Sequence, residues 1–256
     1  MAYCRINDRG IYYETHGEGT PLVLLHHGFG CTLMWKDIYP AFQSKGFQIW
    51  MYDRRGYGRS HPGSDFESFY VSDRFRPESV EELHAFTQMF GLEAFHLIGQ
   101  CEGGVVAVDY AVAYPHRVKT ITVSSTQCFS PCAMPEFNRM KFPVPFQGLD
   151  AGLKNKLLYW HGPEHAERFY NLFRKFGGAY GTGFFDLRDR LSKVPCPTLV
   201  LYPDRSGLFD VEQAVSFYRH LPEGELAVLP RCGHNTYEHQ PEDYIRIVGR
   251  FLARHA

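Results

Sequence analysis

The chain has 256 residues, of which 44% are hydrophobic and 21% are charged, the composition of an ordinary globular protein. Its 27 lysines and arginines against 28 aspartates and glutamates give a net charge of −1. Proteins that bind nucleic acid or anionic membranes normally carry a basic excess or a basic stripe, and the sequence shows neither. Electrostatics therefore argues against both kinds of partner.

Apolar runs and cysteine spacing indicate the cellular setting. No run approaches 18 uninterrupted apolar residues, the length needed to span a membrane, and residues 1–8 lack the apolar stretch of a signal peptide. The seven cysteines are widely spaced, odd in number and without a C-x-x-C pair. This pattern favours reduced thiols in the cytoplasm and argues against a structural zinc site.

Short apolar runs alternate with amphipathic stretches, which predicts strands alternating with helices and a mostly parallel sheet. A glycine-containing turn predicts an antiparallel hairpin of residues 3–6 and 11–14. The predicted core strands are residues 22–26, 47–52, 95–99, 120–124, 198–202 and 226–229. The predicted helices are residues 79–90, 102–114, 211–220 and 242–253. Ser79 and Glu82 have the spacing of a capping box at the start of the first helix.

Residues 126–192 interrupt this alternation. Prolines, many aromatic residues and one helical pattern over residues 164–176 replace the strand-like runs. We predict a small helical subdomain here. Its aromatic side chains either form a core of their own or line an apolar pocket, and both interpretations can hold for different residues.

The segment Gly99-Gln100-Cys101-Glu102-Gly103 follows a predicted strand and opens a predicted helix. This is the context of a nucleophile elbow, G-x-S-x-G, with cysteine in place of serine. Glycines at both flanking positions leave room for the neighbouring strand and helix. The helix N-terminus favours a thiolate. The alternative interpretation of Cys101 is a buried structural cysteine.

Two further motifs lie on loops that follow predicted strands. His27-Gly28-Phe29-Gly30 ends the first core strand, where a backbone N–H can be offered to an oxyanion. Gly233-His234 follows the last strand, so the histidine comes after the nucleophile in chain order. Its location on a loop after the last strand and its place after Cys101 in the chain make His234 a candidate base.

Together with residues 53–60, which read Asp-Arg-Arg-Gly-Tyr-Gly-Arg-Ser, these motifs resemble those of the α/β-hydrolase fold superfamily, in the branch with a helical lid after the sixth strand. The resemblance extends from about residue 11 to residue 252. It implies an α/β fold with a mostly parallel central sheet flanked by helices. It also implies a core of residues 1–125 and 193–256 and a helical, aromatic-rich lid of residues 126–192.

The resemblance also implies roles for individual residues. Cys101 becomes the nucleophile, and His234 the general base and later the general acid. The backbone N–H groups of Phe29 and Glu102 become the oxyanion hole, while the Glu102 side chain can point either away from the cleft or towards it.

The catalytic acid departs from the family pattern. After the strand at residues 198–202, Ser206 occupies the usual acid position, Asp204 lies two residues earlier and Asp210 four residues later. A thiol, with a free pKa of about 8.5, can pass its proton to histidine and form a standing thiolate–imidazolium pair. Such a pair depends less on a third carboxylate. We therefore expect a Cys101–His234 dyad assisted by either Asp204 or the Ser206 hydroxyl.

The expected function is that of a cysteine acyl hydrolase. It would form an acyl-enzyme from a small-molecule ester, thioester or activated lactone with an apolar or aromatic acyl part. Acyl transfer at the same site is a close variant. A ligand-binding receptor without hydrolytic activity and a lyase that uses His234 as its base are alternatives from other classes. No cofactor or metal is expected, because the sequence carries no dinucleotide-binding or Walker motif.

Overall fold

In a computed structural model, which describes residues 2–176 and 178–255, the chain is built around an eight-stranded sheet. The strands are β1 (Ala2–Ile6), β2 (Arg9–His16), β3 (Thr20–Leu25), β4 (Phe47–Tyr52), β5 (Phe95–Gln100), β6 (Val118–Ser124), β7 (Thr198–Pro203) and β8 (Gly224–Leu229). Their order across the sheet is β1-β2-β4-β3-β5-β6-β7-β8. Strands β3 to β8 pair in parallel, and β1 and β2 form an antiparallel hairpin. The predicted hairpin, core strands and mostly parallel sheet are thereby confirmed.

Both faces of the sheet are covered. Leu22 and Leu24 of β3 belong to one buried apolar cluster, whereas Val23 and Leu25 belong to another. Successive side chains of a strand point to opposite faces, so the two clusters lie on opposite sides of the sheet. Burial on both faces explains why these strands read as continuous apolar runs rather than as alternating ones.

Helices occupy the connections between the strands. They are α1 (Tyr39–Gln43), α2 (Phe66–Tyr70), α3 (Phe75–Met89), α4 (Glu102–Ala113), α5 (Met134–Lys141), α6 (Ala151–His161), α7 (Ala166–Phe176), α8 (Arg188–Leu191), α9 (Glu212–His220), α10 (Thr236–His239) and α11 (Pro241–Arg254). The predicted helices at α4, α9 and α11 are confirmed to within one residue at each end. Across the described residues, the helices fall short of the length and apolarity that crossing a membrane would require.

The start of α3 was predicted wrongly. The helix begins at Phe75, and Ser79 lies one turn inside it, where its hydroxyl donates a hydrogen bond to the Phe75 carbonyl at 2.7 Å. The Glu82 carboxylate accepts from the backbone N–H of Arg55 at 3.2 Å instead of capping the helix. A tertiary contact therefore replaces the expected capping box.

Between β6 and β7 the chain leaves the sheet. Residues 126–192, called the inserted segment below, contain α5 to α8 and turns at Phe146–Gly148 and Gly178–Tyr180. Two histidine side chains of this segment form hydrogen bonds with the loops at the carboxyl ends of the strands. His161 donates to the Phe29 carbonyl at 2.8 Å and accepts from the Gly58 N–H at 2.9 Å, and His165 donates to the Gly56 carbonyl at 2.8 Å.

The turn from β5 into α4 is crowded. Cys101 at its centre has φ +51° and ψ −114°, a conformation that side chains rarely adopt. A Cβ atom on Gly103 would overlap the Leu25 carbonyl and lie 2.8 Å from the His26 carbonyl. Glycine at this position therefore lets α4 begin directly against the end of β3.

Replacing this glycine tests the packing. We expect Gly103→Ala to lower the free energy of unfolding by about 1–3 kcal/mol, because backbone atoms of β3 have to move. Urea denaturation followed by circular dichroism measures the change. Gly183→Ala is the matched control, since a Cβ there meets no atom within 4 Å. Equal stability of the two variants would contradict this account.

Candidate active site

Cys101 stands at the carboxyl end of β5 and is 8% exposed. Its backbone N–H donates to the Ser124 carbonyl at 2.7 Å, which fixes the turn to the neighbouring strand. The Sγ atom accepts from the backbone N–H of Glu102 and lies 3.3 Å from the Tyr180 hydroxyl. The strained turn thus presents the thiol to a surface formed by α4 and the inserted segment.

His234 lies on the loop after β8, and residues at the carboxyl ends of β5 and β6 hold its backbone in place. Its carbonyl accepts from the Gln100 side chain at 3.1 Å and from the Ser125 hydroxyl at 2.7 Å. Cys101 and His234 both line one cavity of about 220 Å³. The structure therefore brings the predicted nucleophile and the predicted base to the same cavity.

Of the two candidates for a third residue, Ser206 faces the imidazole. Its Oγ lies 3.1 Å from His234 Nδ1. The carboxylate of Asp204 is used elsewhere: it accepts from the Cys232 backbone N–H at 3.0 Å and lies 3.8 Å from the Arg205 guanidinium. Asp204 was an expected partner of the histidine, and the structure corrects this, because its carboxylate closes the turn that leads to His234.

The two expected oxyanion donors differ in the structure. The Glu102 N–H is directed at the sulfur of Cys101, where it opposes the rise in the pKa of the thiol. The Phe29 N–H donates instead to Nδ1 of His27 at 3.1 Å. His27 in turn lies 3.2 Å from the Tyr237 hydroxyl. A substrate oxygen would have to compete with the His27 ring for the Phe29 N–H.

The side chain of Glu102 turns inward. It is fully buried and pairs with the Arg54 guanidinium at 2.7 Å, and it accepts from the Tyr57 hydroxyl at 2.6 Å. Arg54 also donates to the His26 carbonyl at 3.1 Å. A buried ion pair thus lies directly behind the nucleophile and beneath the loop that follows β3.

Burial controls the charge of both reactive groups. Burial raises the pKa of Cys101 to about 12, although the hydrogen bond with Tyr180 opposes this. Burial also lowers the pKa of His234 to about 4, with a smaller contribution from nearby His239. Both shifts favour the uncharged forms, a thiol and a neutral imidazole. They run against the expected standing thiolate–imidazolium pair, because desolvation penalises both charges.

Apolar side chains form most of the remaining cavity wall. They are Phe29, Phe142, Leu153, Trp160, Phe173 and Leu208. One cation, Lys156, also lines the cavity; it pairs with Glu238 at 2.6 Å and lies 4.9 Å from the centre of the Trp160 ring. Several other aromatic residues of the inserted segment, such as Phe137 and Phe169, are core residues. Both interpretations of these aromatics therefore hold.

Two functional contacts carried no signal in the sequence. Tyr180 touches the nucleophile from 79 residues further along the chain, in an irregular part of the inserted segment. Arg54 lies in a turn whose residues resembled a structural motif, and its pairing with Glu102 bridges two separate connections of the sheet. Both are contacts between distant segments, and local pattern does not encode such contacts.

Similarity to known proteins shows the family of this chain. The profile of the alpha/beta hydrolase fold family matches residues 20–158, and the chain belongs to this family. A proline iminopeptidase of Lactobacillus helveticus is 26% identical, over 95% of this chain and 94% of that protein. A pimeloyl-[acyl-carrier protein] methyl ester esterase of Aeromonas hydrophila is 27% identical, over 93% of this chain and 98% of that protein.

A solved structure of a meta-cleavage product hydrolase from Pseudomonas fluorescens superposes with a TM-score of 0.81. The two chains are 19% identical, and the match covers 99% of this chain and 98% of that one. The fold expected from the sequence motifs is thereby confirmed. The family and the relatives named for hydrolytic activities support a hydrolase in general terms.

The pKa directions predict how Cys101 reacts with an electrophile. Below the pKa of a thiol, its thiolate fraction rises about tenfold per pH unit. We expect alkylation of Cys101 by iodoacetamide to follow that slope between about pH 6 and pH 9, measured by mass spectrometry of the peptide that contains Cys101. His234→Ala should keep the slope. A plateau near neutral pH in the wild type, absent in His234→Ala, would instead show a thiolate–imidazolium pair.

Proposed function

We propose that this chain is an acyl hydrolase that uses Cys101 as its nucleophile and acts on an ester, a thioester or an activated lactone. The observation that carries the proposal is the shared cavity: a thiol on a strained strand-to-helix turn and a histidine line the same small, mostly apolar space. This combination is the minimum that covalent acyl chemistry requires.

In the first step the Cys101 sulfur bonds to the substrate's carbonyl carbon, and the bond to the leaving group breaks, which yields a thioester on the enzyme. The thiol loses one proton and the leaving group gains one, and His234 is the side chain placed to handle both. The developing oxyanion accepts from the Glu102 N–H and, once it displaces the His27 ring, from the Phe29 N–H. In the second step water attacks the thioester, the free acid forms, and the thiol regains a proton.

The thiol nucleophile favours esters and thioesters over peptides. A tetrahedral adduct expels its better leaving group, so an adduct formed from an amide tends to expel the Cys101 thiolate again rather than the amine. Thiolates, phenolates and enolates leave without prior protonation. We therefore propose these leaving groups, although one relative is named as a proline iminopeptidase.

The cavity also suggests the acyl part and the surroundings of the reaction. About 220 Å³ lined by aromatic and leucine side chains suits an apolar or aromatic acyl group of modest size from a small molecule. We propose that the inserted segment, residues 126–192, acts as a lid over a core of residues 1–125 and 193–256. All seven cysteines are free thiols, which fits the proposed cytoplasmic location.

A second candidate is a ligand-binding protein on the same fold. It is favoured by two observations: burial keeps both reactive side chains neutral, and the Phe29 N–H is already bonded to His27. Covalent turnover separates this candidate from the hydrolase.

The covalent step can be observed directly. With a p-nitrophenyl acyl ester, we expect a burst of p-nitrophenol and a matching mass increase on Cys101 in the intact protein. Cys101→Ala should lose both, with a fall in rate of about 10³-fold or more. Cys132→Ser removes a partly exposed thiol and should keep both. A folded wild type without burst or adduct would favour the ligand-binding candidate.

The preference for short or long acyl chains tests whether Phe173 forms part of the cavity wall. The Phe173 ring lies 4.1 Å from the Phe29 ring, centre to centre, and closes one side of the cavity. We expect Phe173→Ala to raise kcat/KM for the octanoyl ester relative to the acetyl ester by about tenfold or more, since each accommodated methylene contributes. Phe184→Ala is the control, because that ring is 76% exposed and lines a different groove. The same shift in both variants would contradict the assignment of the wall.

A further inference from the structure

We propose that Ser206 decides which nitrogen of His234 carries the proton. Its hydroxyl donates to Nδ1, so the proton lies on Nε2 and His234 meets the substrate as a hydrogen-bond donor rather than as a base. The consequence for turnover rests on the proposed function, whereas the position of the proton is a property of the resting protein.

The Ser206 Oγ atom makes three hydrogen-bond contacts. The Ser206 Oγ accepts from the backbone N–H groups of Leu208 and Phe209, both at 3.1 Å. A hydroxyl group has two lone pairs and one hydrogen. With both lone pairs occupied, the remaining contact, 3.1 Å to His234 Nδ1, is made by the hydroxyl hydrogen. A neutral imidazole that accepts at Nδ1 carries its hydrogen on Nε2.

A carboxylate at this position would do the opposite. Carboxylate oxygens only accept, so an acid beside Nδ1 selects the Nδ1–H form and leaves a lone pair on Nε2 for the base. The nearby acid, Asp204, is bound to the Cys232 N–H and does not replace Ser206 in this role. The site thus has a hydrogen-bond donor, Ser206, beside Nδ1, whereas an acceptor there would leave Nε2 of His234 free to act as the base.

The rest of the histidine is fixed independently of this contact. Gln100 and Ser125 hold its backbone carbonyl, and the Phe209 ring packs edge-on at 5.4 Å between ring centres. These contacts set the position of the imidazole without selecting a tautomer. Ser206 is therefore a positioning residue that acts through His234.

Both steps in which His234 takes a proton are affected, and the second can be measured by itself. Water forms a bond to the carbonyl carbon of the thioester, the C–S bond breaks, one water proton passes through His234 to the sulfur, and the other stays with the acid product. His234 can take that proton on Nε2 only after the ring hydrogen has moved to Nδ1, which requires the Ser206 hydroxyl to turn away. General base catalysis contributes about 10²–10⁴-fold to such steps. Hydrolysis of the acyl-enzyme is therefore slower than it would be with a lone pair already on Nε2.

The proton can be located by NMR on the resting wild type labelled with ¹⁵N-histidine, with His234 assigned by comparison with His234→Gln. We expect a protonated Nε2 and an unprotonated Nδ1. Ser206→Asp should exchange the two signals, whereas Ser206→Thr, which keeps the hydroxyl, should not. Ser125→Gly is the matched control: it removes a contact to the His234 backbone, suits the φ of +49° at that position, and should leave the signals in place. A protonated Nδ1 in the wild type would overturn the proposal.

The kinetic arm uses the acyl-enzyme formed with the p-nitrophenyl ester. We expect Ser206→Asp to hydrolyse it about tenfold faster or more, and Ser206→Thr to match the wild type. Exchange of the NMR signals without faster hydrolysis would overturn the kinetic consequence. A protonated Nε2 in a protein that forms no adduct would leave the tautomer assignment standing and contradict the proposed function instead.

Discussion

The site depends on a buried ion pair between Arg54 and Glu102. The two side chains are almost completely removed from solvent and meet at 2.7 Å, and the Tyr57 hydroxyl and the His26 carbonyl complete their hydrogen bonds. Losing one partner of such a pair typically costs about 3–5 kcal/mol, because a charge is left buried without compensation. This pair connects the turn after β4 and the loop after β3 to the first residue of α4. Cys101 directly precedes that residue, so its position depends on the pair.

Burial both shapes this cavity and shifts the pKa values of its two candidate reactive groups. Parallel strands bring their carboxyl ends to one edge, where Cys101 and His234 follow different strands and meet in one cavity. The inserted segment then covers this edge with aromatic rings. The same exclusion of water that shapes an apolar pocket raises the pKa of the thiol and lowers that of the imidazole. Burial thus favours the neutral forms of both groups before a ligand binds.

Much of the fold was predictable from the sequence, because strands buried on both faces must be apolar and because the turns between strands and helices need particular residues. The glycines around Cys101 are of this kind. The start of α3 was not predictable, since Ser79 and Glu82 satisfy a local rule but are used in other contacts. The pKa shifts at the site were not predictable for a related reason: a helix N-terminus favours a thiolate locally, but desolvation depends on everything packed around it. The contact between Tyr180 and Cys101 was not predictable either, because the two residues are 79 positions apart and local sequence patterns do not encode such contacts.

The two bonds of His161 have a mechanical consequence. One imidazole joins α6 to the Phe29 carbonyl on one side and to the Gly58 N–H on the other. The peptide of Phe29 therefore moves with α6 rather than independently of it. A ligand large enough to push α6 outward also pulls on the loop whose N–H is bonded to the His27 ring. The residue whose N–H is the proposed oxyanion donor is thus tied to a helix that lines the cavity, so the wall of the cavity and that donor are mechanically coupled.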